Sequence, residues 1–221
     1  MKYFVIKNAN EPDITGNVFS QISEHKSWVW DNHNFLRGLN PNELPEKEFE
    51  LNYLILHRWS KLTDFLSDSL IFMGFIFNTK VKNIFENHRL PSHKFYRTFI
   101  EAKGVTLKNY YWFFPINQLS KDIDFDNSLF LISNRFVEAE IFDDEIKFTS
   151  ISEIIKFEKY NPNKRVRPKR IKMLSKISLD IFQFGIFSFD WIISETLKNA
   201  IERNEITGYD LKQIKWLEDI N

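Results

Sequence analysis

The residues best suited to chemistry are five histidines and two short runs of carboxylates, and their spacing decides what they can do. His25, His33, His57, His88 and His93 form neither an HExxH nor an HxH pattern, and His88 and His93 stand five apart, off a single helical face. A metal site would have to gather ligands from distant segments, so each His reads as a surface or half-buried side chain. Asp122, Asp124 and Asp126 are spaced like a cation loop but lack the glycine and the closing bidentate glutamate that such a loop needs. That first set reads as a solvated loop; Asp143, Asp144 and Glu145 form a second carboxylate run. The chain has no Cys, which excludes disulfides, thiolate nucleophiles and Cys-ligated zinc. Its 6 Gly are scattered, with no GxGxxG, no P-loop and no GxSxG elbow, so a phosphate cradle has no raw material. These patterns assign no catalytic residue, no cofactor-binding residue, no cofactor and no metal ligand. The expectation is a binding protein and not an enzyme.

Charge points the same way. Lys plus Arg and Asp plus Glu both number 30, which argues against a chain coated in positive charge for nucleic acid. The balance also argues against an acidic mimic that blocks a basic enzyme by charge alone. The strong local feature is Lys164-Arg165-Val166-Arg167-Pro168-Lys169-Arg170-Ile171-Lys172, in which Pro168 prevents a continuous helix. Following Tyr160-Asn161-Pro162-Asn163, it reads as an exposed basic loop leading into a strand. Aromatics make up 16% of the chain, 23 of them Phe, and a Phe-heavy core accounts for most. Those outside the core segments, with the cations of the basic loop, form the candidate partner-binding set: Arg165, Arg167, Lys169, Arg170, Tyr160, Trp28 and Trp30. Interface hot spots favour Trp, Tyr and Arg.

The elements that position these residues read as many strands and few helices. Strands are expected at Tyr3 to Ile6, Trp28 to Trp30, Phe49 to Leu56, Leu107 to Phe114, Leu129 to Ile132, Ala139 to Phe142, Ile146 to Phe148, Ile177 to Phe184 and Gly208 to Trp216. Residues 10 to 16 read as a turn and 32 to 45 mostly as loop. Ser152 to Phe157 reads as a short helix capped by Ser150 or Ser152. The most informative pattern is internal. Phe75 to Glu86 lies over Trp191 to Glu202 without a gap, each with a short apolar run, a helix N-cap (Asn78 or Ser194) and apolar positions at helical spacing. The fold class is therefore α+β: a mixed, largely antiparallel sheet with a few amphipathic helices and two related strand-helix-strand units. We expect one globular domain over residues 1–221, with repeat units at 64–117 and 179–216. The N-terminal apolar run is too short for a signal peptide, so a cytoplasmic location is expected.

Two stretches carry a resemblance. WIISETLKNAIERNEITGYDL, residues 191 to 211, joins an apolar strand, Ser194, an amphipathic helix, Thr207-Gly208-Tyr209 and a last strand. YYWFFPINQLSKDIDFDNSLF, residues 110 to 130, joins an aromatic strand, a short loop, Ile123-Asp124 and Ser128. Both are similar to a family of bacterial polymorphic-toxin immunity proteins of the myxobacterial type, formerly filed as a domain of unknown function. Phe75 to Tyr96 resembles the family's earlier helical unit, while residues 9 to 60 and the basic loop have no counterpart. The resemblance implies a cytoplasmic antitoxin whose partner is the C-terminal domain of a secreted toxin, neutralised by stoichiometric binding. It supplies no catalytic residues. Two alternatives remain open: a nucleic-acid-binding module using loop 164–172, and an enzyme with a motif-free site that reverses a toxin's modification.

Overall fold

The computed structural model describes residues 1–18, 20–25, 43–44, 51–69, 73–116, 119–137, 139–185 and 190–218. The chain is α+β with largely antiparallel sheets. Its first half runs β1 (Tyr3–Asn8), α1 (Pro12–Thr15), β2 (Ile22–His25), β3 (Leu51–Leu56), β4 (Phe65–Leu66), β5 (Phe75–Asn78), α2 (Thr79–Glu86) and β6 (His93–Ala102). Then follow β7 (Val105–Pro115), a 3-10 turn (Leu119–Asp122), β8 (Leu129–Asn134), β9 (Ile141–Ile146), α3 (Ile151–Tyr160) and β10 (Lys164–Lys172). Last come β11 (Ile181–Phe182), β12 (Trp191–Ser194), α4 (Glu195–Arg203), β13 (Tyr209–Ile214) and β14 (Leu217–Glu218).

Phe75 to Glu86 and Trp191 to Glu202 take the same structure: a strand end running into a helix. The Asn78 side chain accepts from the Val81 amide at 3.2 Å, and the Ser194 hydroxyl accepts from Leu197 at 3.3 Å. Val81 and Leu197 are fully buried. The likeness extends well past the helices. Order β4-β5-β7-β6 in one sheet matches β11-β12-β1-β13 in the other. The registers match under one constant shift along the chain, which carries Phe65 to Ile181, Phe77 to Ile193 and His93 to Tyr209. Phe77 lies between Phe65 and Tyr111, and Ile193 between Ile181 and Phe4. Tyr96 faces Trp112 as Lys212 faces Val5. The counterpart of β7 is thus β1, supplied from the other end of the chain.

The two units share one core. Phe65, Phe75, Phe77, Val81, Phe85 and Phe113 from the first interlock with Phe4, Ile6, Ile181, Trp191, Ile193, Leu197 and Ile201 from the second. Each such side chain contributes about 1.5–3 kcal/mol when fully buried. Two aspartates close this interface reciprocally. Asp64, just before β4, accepts from the Asn78 amide nitrogen of its own helix cap at 2.6 Å. It also accepts from the backbone N–H and hydroxyl of Thr207, beyond the other unit's helix, each at 2.8 Å. Asp180, its counterpart before β11, accepts from the Ser194 hydroxyl at 2.7 Å. From the first unit it takes the Arg89 backbone N–H and a bidentate guanidinium, all at 3.0 Å. Beside Asp64, Gly208 holds φ +87, and a Cβ there would overlap the Phe65 carbonyl, so this crossing needs glycine.

Several boundaries differ from the sequence reading. Residues 10 to 16 contain the single helical turn α1. Ala139 to Phe142 and Ile146 to Phe148 are not two strands; one strand, β9, spans the interval. The expected strand from Ile177 to Phe184 shrinks to β11, whose Ile181 and Phe182 alone pair with β12, while the Asp180 amide turns to the Arg89 carbonyl. Trp28 to Trp30, and the loop at 32 to 45 except Glu43 and Leu44, lie outside the described residues. Among the described residues no helix is long and apolar enough to cross a membrane.

The clamps make two predictions. Burial pushes the Asp180 carboxyl up, but the donated bonds from Arg89 and Ser194 and the Arg89 charge outweigh it and hold the group at about 2. A depressed carboxyl stabilises the fold above its unfolded value and loses that contribution as pH falls through the folded value. Stability should therefore decline between about pH 5 and pH 2, with Asp180 supplying about 1–2 kcal/mol after screening at the solvent-facing Arg89. Urea titrations at several pH values should show that part of the slope missing in Asp180→Asn. Ser194→Ala removes a cap and a donor to a buried carboxylate and should cost about 2 kcal/mol, against about 1 for Asn78→Ala.

Candidate functional site

The basic run 164–172 is not a loop. It is strand β10, paired antiparallel with β8 from Lys164 to Arg170 and buried on one side through Val166 and Ile171. The alternation of Val166 against Arg165 and Arg167 drives this: one face joins a core with Phe130, Phe148 and Ile154 while the charges stay outside. Pro168 is tolerated because the register shifts between Pro168 and Arg170. The outer edge of the strand is closed by α3, whose Glu158 accepts the Val166 amide at 2.8 Å. The same carboxylate meets Arg135 at 3.2 Å and Arg165 at 3.5 Å. Glu158 reaches β10 because α3 starts firmly, with Ser150 capping Glu153 and Glu153 returning the bond to the Thr149 amide.

Beside β10 lies a cleft of about 650 Å³, walled by β13 and β1 on one side and by β10, β8 and β9 on the other. Phe4 and Ile6 point into the shared core, so alternation turns Val5 and Lys7 to the opposite face, where both line the cleft. Its apolar lining includes Leu131, Phe184, Ile192 and Trp216. Its charges are Lys7, Arg167, Lys212 and Lys215 against Asp190 and Asp210. Lys7 meets Asp190 at 2.9 Å, and the Arg167 Nε donates to the buried Ser133 hydroxyl at 2.8 Å. At one wall, the β8–β9 turn and the start of β9 present Phe136, Val137, Ile141 and Phe142 to solvent, with Phe136 78% exposed. Ile141 belongs both to this apolar tip and to the cleft lining.

Of the residues singled out in the sequence, Arg167 enters the cleft, while Lys169 and Arg170 are exposed further along β10. Lys169 is shared between Asp144 and Glu145 at 3.6 and 3.4 Å. Arg165 is held by Glu158, and Tyr160 is exposed at the end of α3. Trp28 and Trp30 lie outside the described residues. Lys7, Lys212, Lys215 and the Phe136–Phe142 tip were missed. The one available signal was Lys7, a cation closing an otherwise apolar strand.

The groups with shifted ionisation serve structure. Besides Asp180 and its partner Arg89, they include Tyr110, pushed up chiefly by burial while its hydroxyl donates to the Thr63 carbonyl at 2.8 Å. Glu153, lowered by its bonds from Thr149, belongs to a helix cap. His25 and Asp68 form a buried pair at 2.8 Å, their side chains 5% and 2% exposed. Such a pair is the orienting half of a nucleophile triad. Serines of the same segments are committed elsewhere: Ser20 donates to the Ile22 and Ser67 carbonyls, Ser23 donates to the Ile55 carbonyl, and Ser67 is engaged with Gln21. Among the described residues no three His, Asp or Glu side chains gather as a metal site.

What the fold and cleft define is an α+β protein with paired strand-helix units and a charged, apolar-floored groove. No family model matches the chain, and no curated protein does. Because the core is apolar and the described carboxylates are hydrogen-bonded or solvated, a chelator should leave the melting temperature within about 1 °C of its starting value. Differential scanning fluorimetry with and without EDTA measures this.

Proposed function

We propose that this protein is the immunity partner of a secreted toxin: it binds one toxin domain tightly, one to one, in the producing cell's cytoplasm, and performs no chemistry on it. The observation that carries this reading is the exposed apolar tip, Phe136, Val137, Ile141 and Phe142, which meets through Ile141 a cleft lined by four cations and two aspartates. Exposed aromatics flanked by cations are what a tight protein interface uses as anchors. A free surface of this kind would otherwise promote aggregation. The similarity of residues 110–130 and 191–211 to immunity proteins supports the same role.

The basic strand fits a protein partner better than nucleic acid. Arg165 is engaged by Glu158, and Lys169 by Asp144 and Glu145, so much of its charge is already balanced. Arg170, exposed on the same strand, and Tyr160 at the end of α3 extend the proposed contact surface.

Co-expression with the toxin encoded beside this chain tests the reading. Protection should require at least equimolar protein, and isothermal titration should give a one-to-one complex. Phe136→Asp, at a position too exposed to disturb the core, should weaken that complex by about 2 kcal/mol or more. Protection at strongly substoichiometric amounts would point to an enzyme instead, and failure to bind the toxin would end the proposal.

A further inference from the structure

The two units differ in what lies along the outer edge of their last strand. In the first unit the C-terminal part of β6 has a neighbour on its outer edge: β3 pairs parallel to it, with Leu51 against Thr98, Leu54 against Ile100 and Ile55 against Glu101. In the second unit β10 makes the corresponding pair, Ile171 against Leu217, then Lys172 against Glu218. Ile171 is the counterpart of Ile55, and Leu217 of Glu101, under the same shift that relates the helices. There the pairing stops. Where β3 continues back to Thr98, the counterpart of Ile214, β10 makes no pair with β13, and the cleft lies between them. Among the described residues β13 pairs only with β1, so its other edge keeps unpaired amides and carbonyls.

The two walls are not equivalent. The Val166 amide of β10 is taken by Glu158, and Pro168 has no amide to give. The open template is β13. The face beside it has also changed character. In the first unit the corresponding positions are Phe114, Trp112 and Tyr96, all buried in an aromatic cluster. In the second they are Lys7, Val5 and Lys212, which line the cleft. Lys7 already meets Asp190, whereas Lys212 and Lys215 are exposed and make no ion pair among the described residues.

We propose that this cleft accepts a strand: an extended acidic segment of a protein partner pairs with the free edge of β13 and lays its carboxylates against Lys212, Lys215 and Arg167. Main-chain bonds to the edge supply affinity and the cations supply selectivity. Because alternate residues of a strand share a face, the segment carries its acidic residues two apart. The identity of the partner as a toxin rests on the function proposed above; the strand-accepting site does not.

The test uses the full chain, labelled for amide NMR, with two synthetic peptides, acetyl-(Glu-Val)3-amide and acetyl-(Lys-Val)3-amide, and with the neighbouring toxin domain. The glutamate peptide should shift the amides of Leu211 to Lys215 and bind more weakly as salt rises. Lys212→Glu/Lys215→Glu, checked for folding by circular dichroism, should weaken that peptide at least about tenfold and take up the lysine peptide instead. Equal binding of both peptides, or no shift at Leu211 to Lys215 with either peptide or toxin, overturns the site. So does concentration-dependent shielding of those amides without any addition, which would make the occupant a second copy of this chain. Toxin that binds while leaving Leu211 to Lys215 unmoved removes the cleft and spares the immunity reading. A chain that takes the glutamate peptide but refuses the toxin does the reverse.

Discussion

Asp64 and Asp180 hold the structure at the same joint from opposite sides. Each is the last residue before a two-residue strand, each anchors the N-cap of its own unit's helix, and each reaches across to the segment that follows the other unit's helix. A buried carboxylate is costly unless its lone pairs are filled. Asp180 is buried and takes its donors from both units at once, so it is satisfied only when the units are docked; Asp64, half-buried, draws donors from both units in the same way. That requirement ties local helix capping to global assembly. It also explains why the shared core can be built almost wholly from Phe, Ile, Leu and Val, which pack densely but specify geometry weakly. The hydrogen-bonded aspartates fix the angle, and the apolar side chains supply the burial.

The repeated strand-helix junction was legible because two independent codes coincide in it. Asn78 and Ser194 are N-cap residues, and the apolar residues after them recur at helical spacing. The reciprocal clamps were not legible. Asp64 and Asp180 look like any loop aspartate, and their partners Thr207 and Arg89 are far away in the chain. The role of β1 as the second unit's central strand was equally hidden, since Tyr3 to Asn8 and Tyr110 to Pro115 share register and not sequence. Strand ends proved least readable. Alternation around Ile177 to Phe184 continues past the two residues that pair, because backbone hydrogen bonding depends on a partner's position.

The basic segment shows the same limit at the site. Six cations around a proline suggest a loop by composition. Yet Val166 and Ile171 give β10 a buried side, and a bulge absorbs Pro168. Composition spoke to charge and was silent on pairing. The cleft itself is a property of two strands failing to meet, and no single segment encodes it. Its clearest trace is comparative: Lys7, Val5 and Lys212 in one unit against Phe114, Trp112 and Tyr96 in the other.

That comparison also separates the tasks of the two units. The first closes its sheet from β2 to β4 and fills the outer face with large aromatics, Tyr96 and Trp112 packed at 5.5 Å and Trp112 and Phe114 at 5.2 Å. Aromatic burial of that kind is the largest stabilising term a small sheet can recruit. The second unit forgoes it along the cleft, trading three aromatic positions for two lysines and a valine. The loss is tolerable because its helix, its strands and its clamp are already secured against the first unit through the shared core. On the proposed function, stability and recognition fall to different copies of one architecture. Residues around the cleft can change with the partner while the joint at Asp64 and Asp180 stays intact. A surface that must match one partner closely belongs on the half whose side chains the fold does not need.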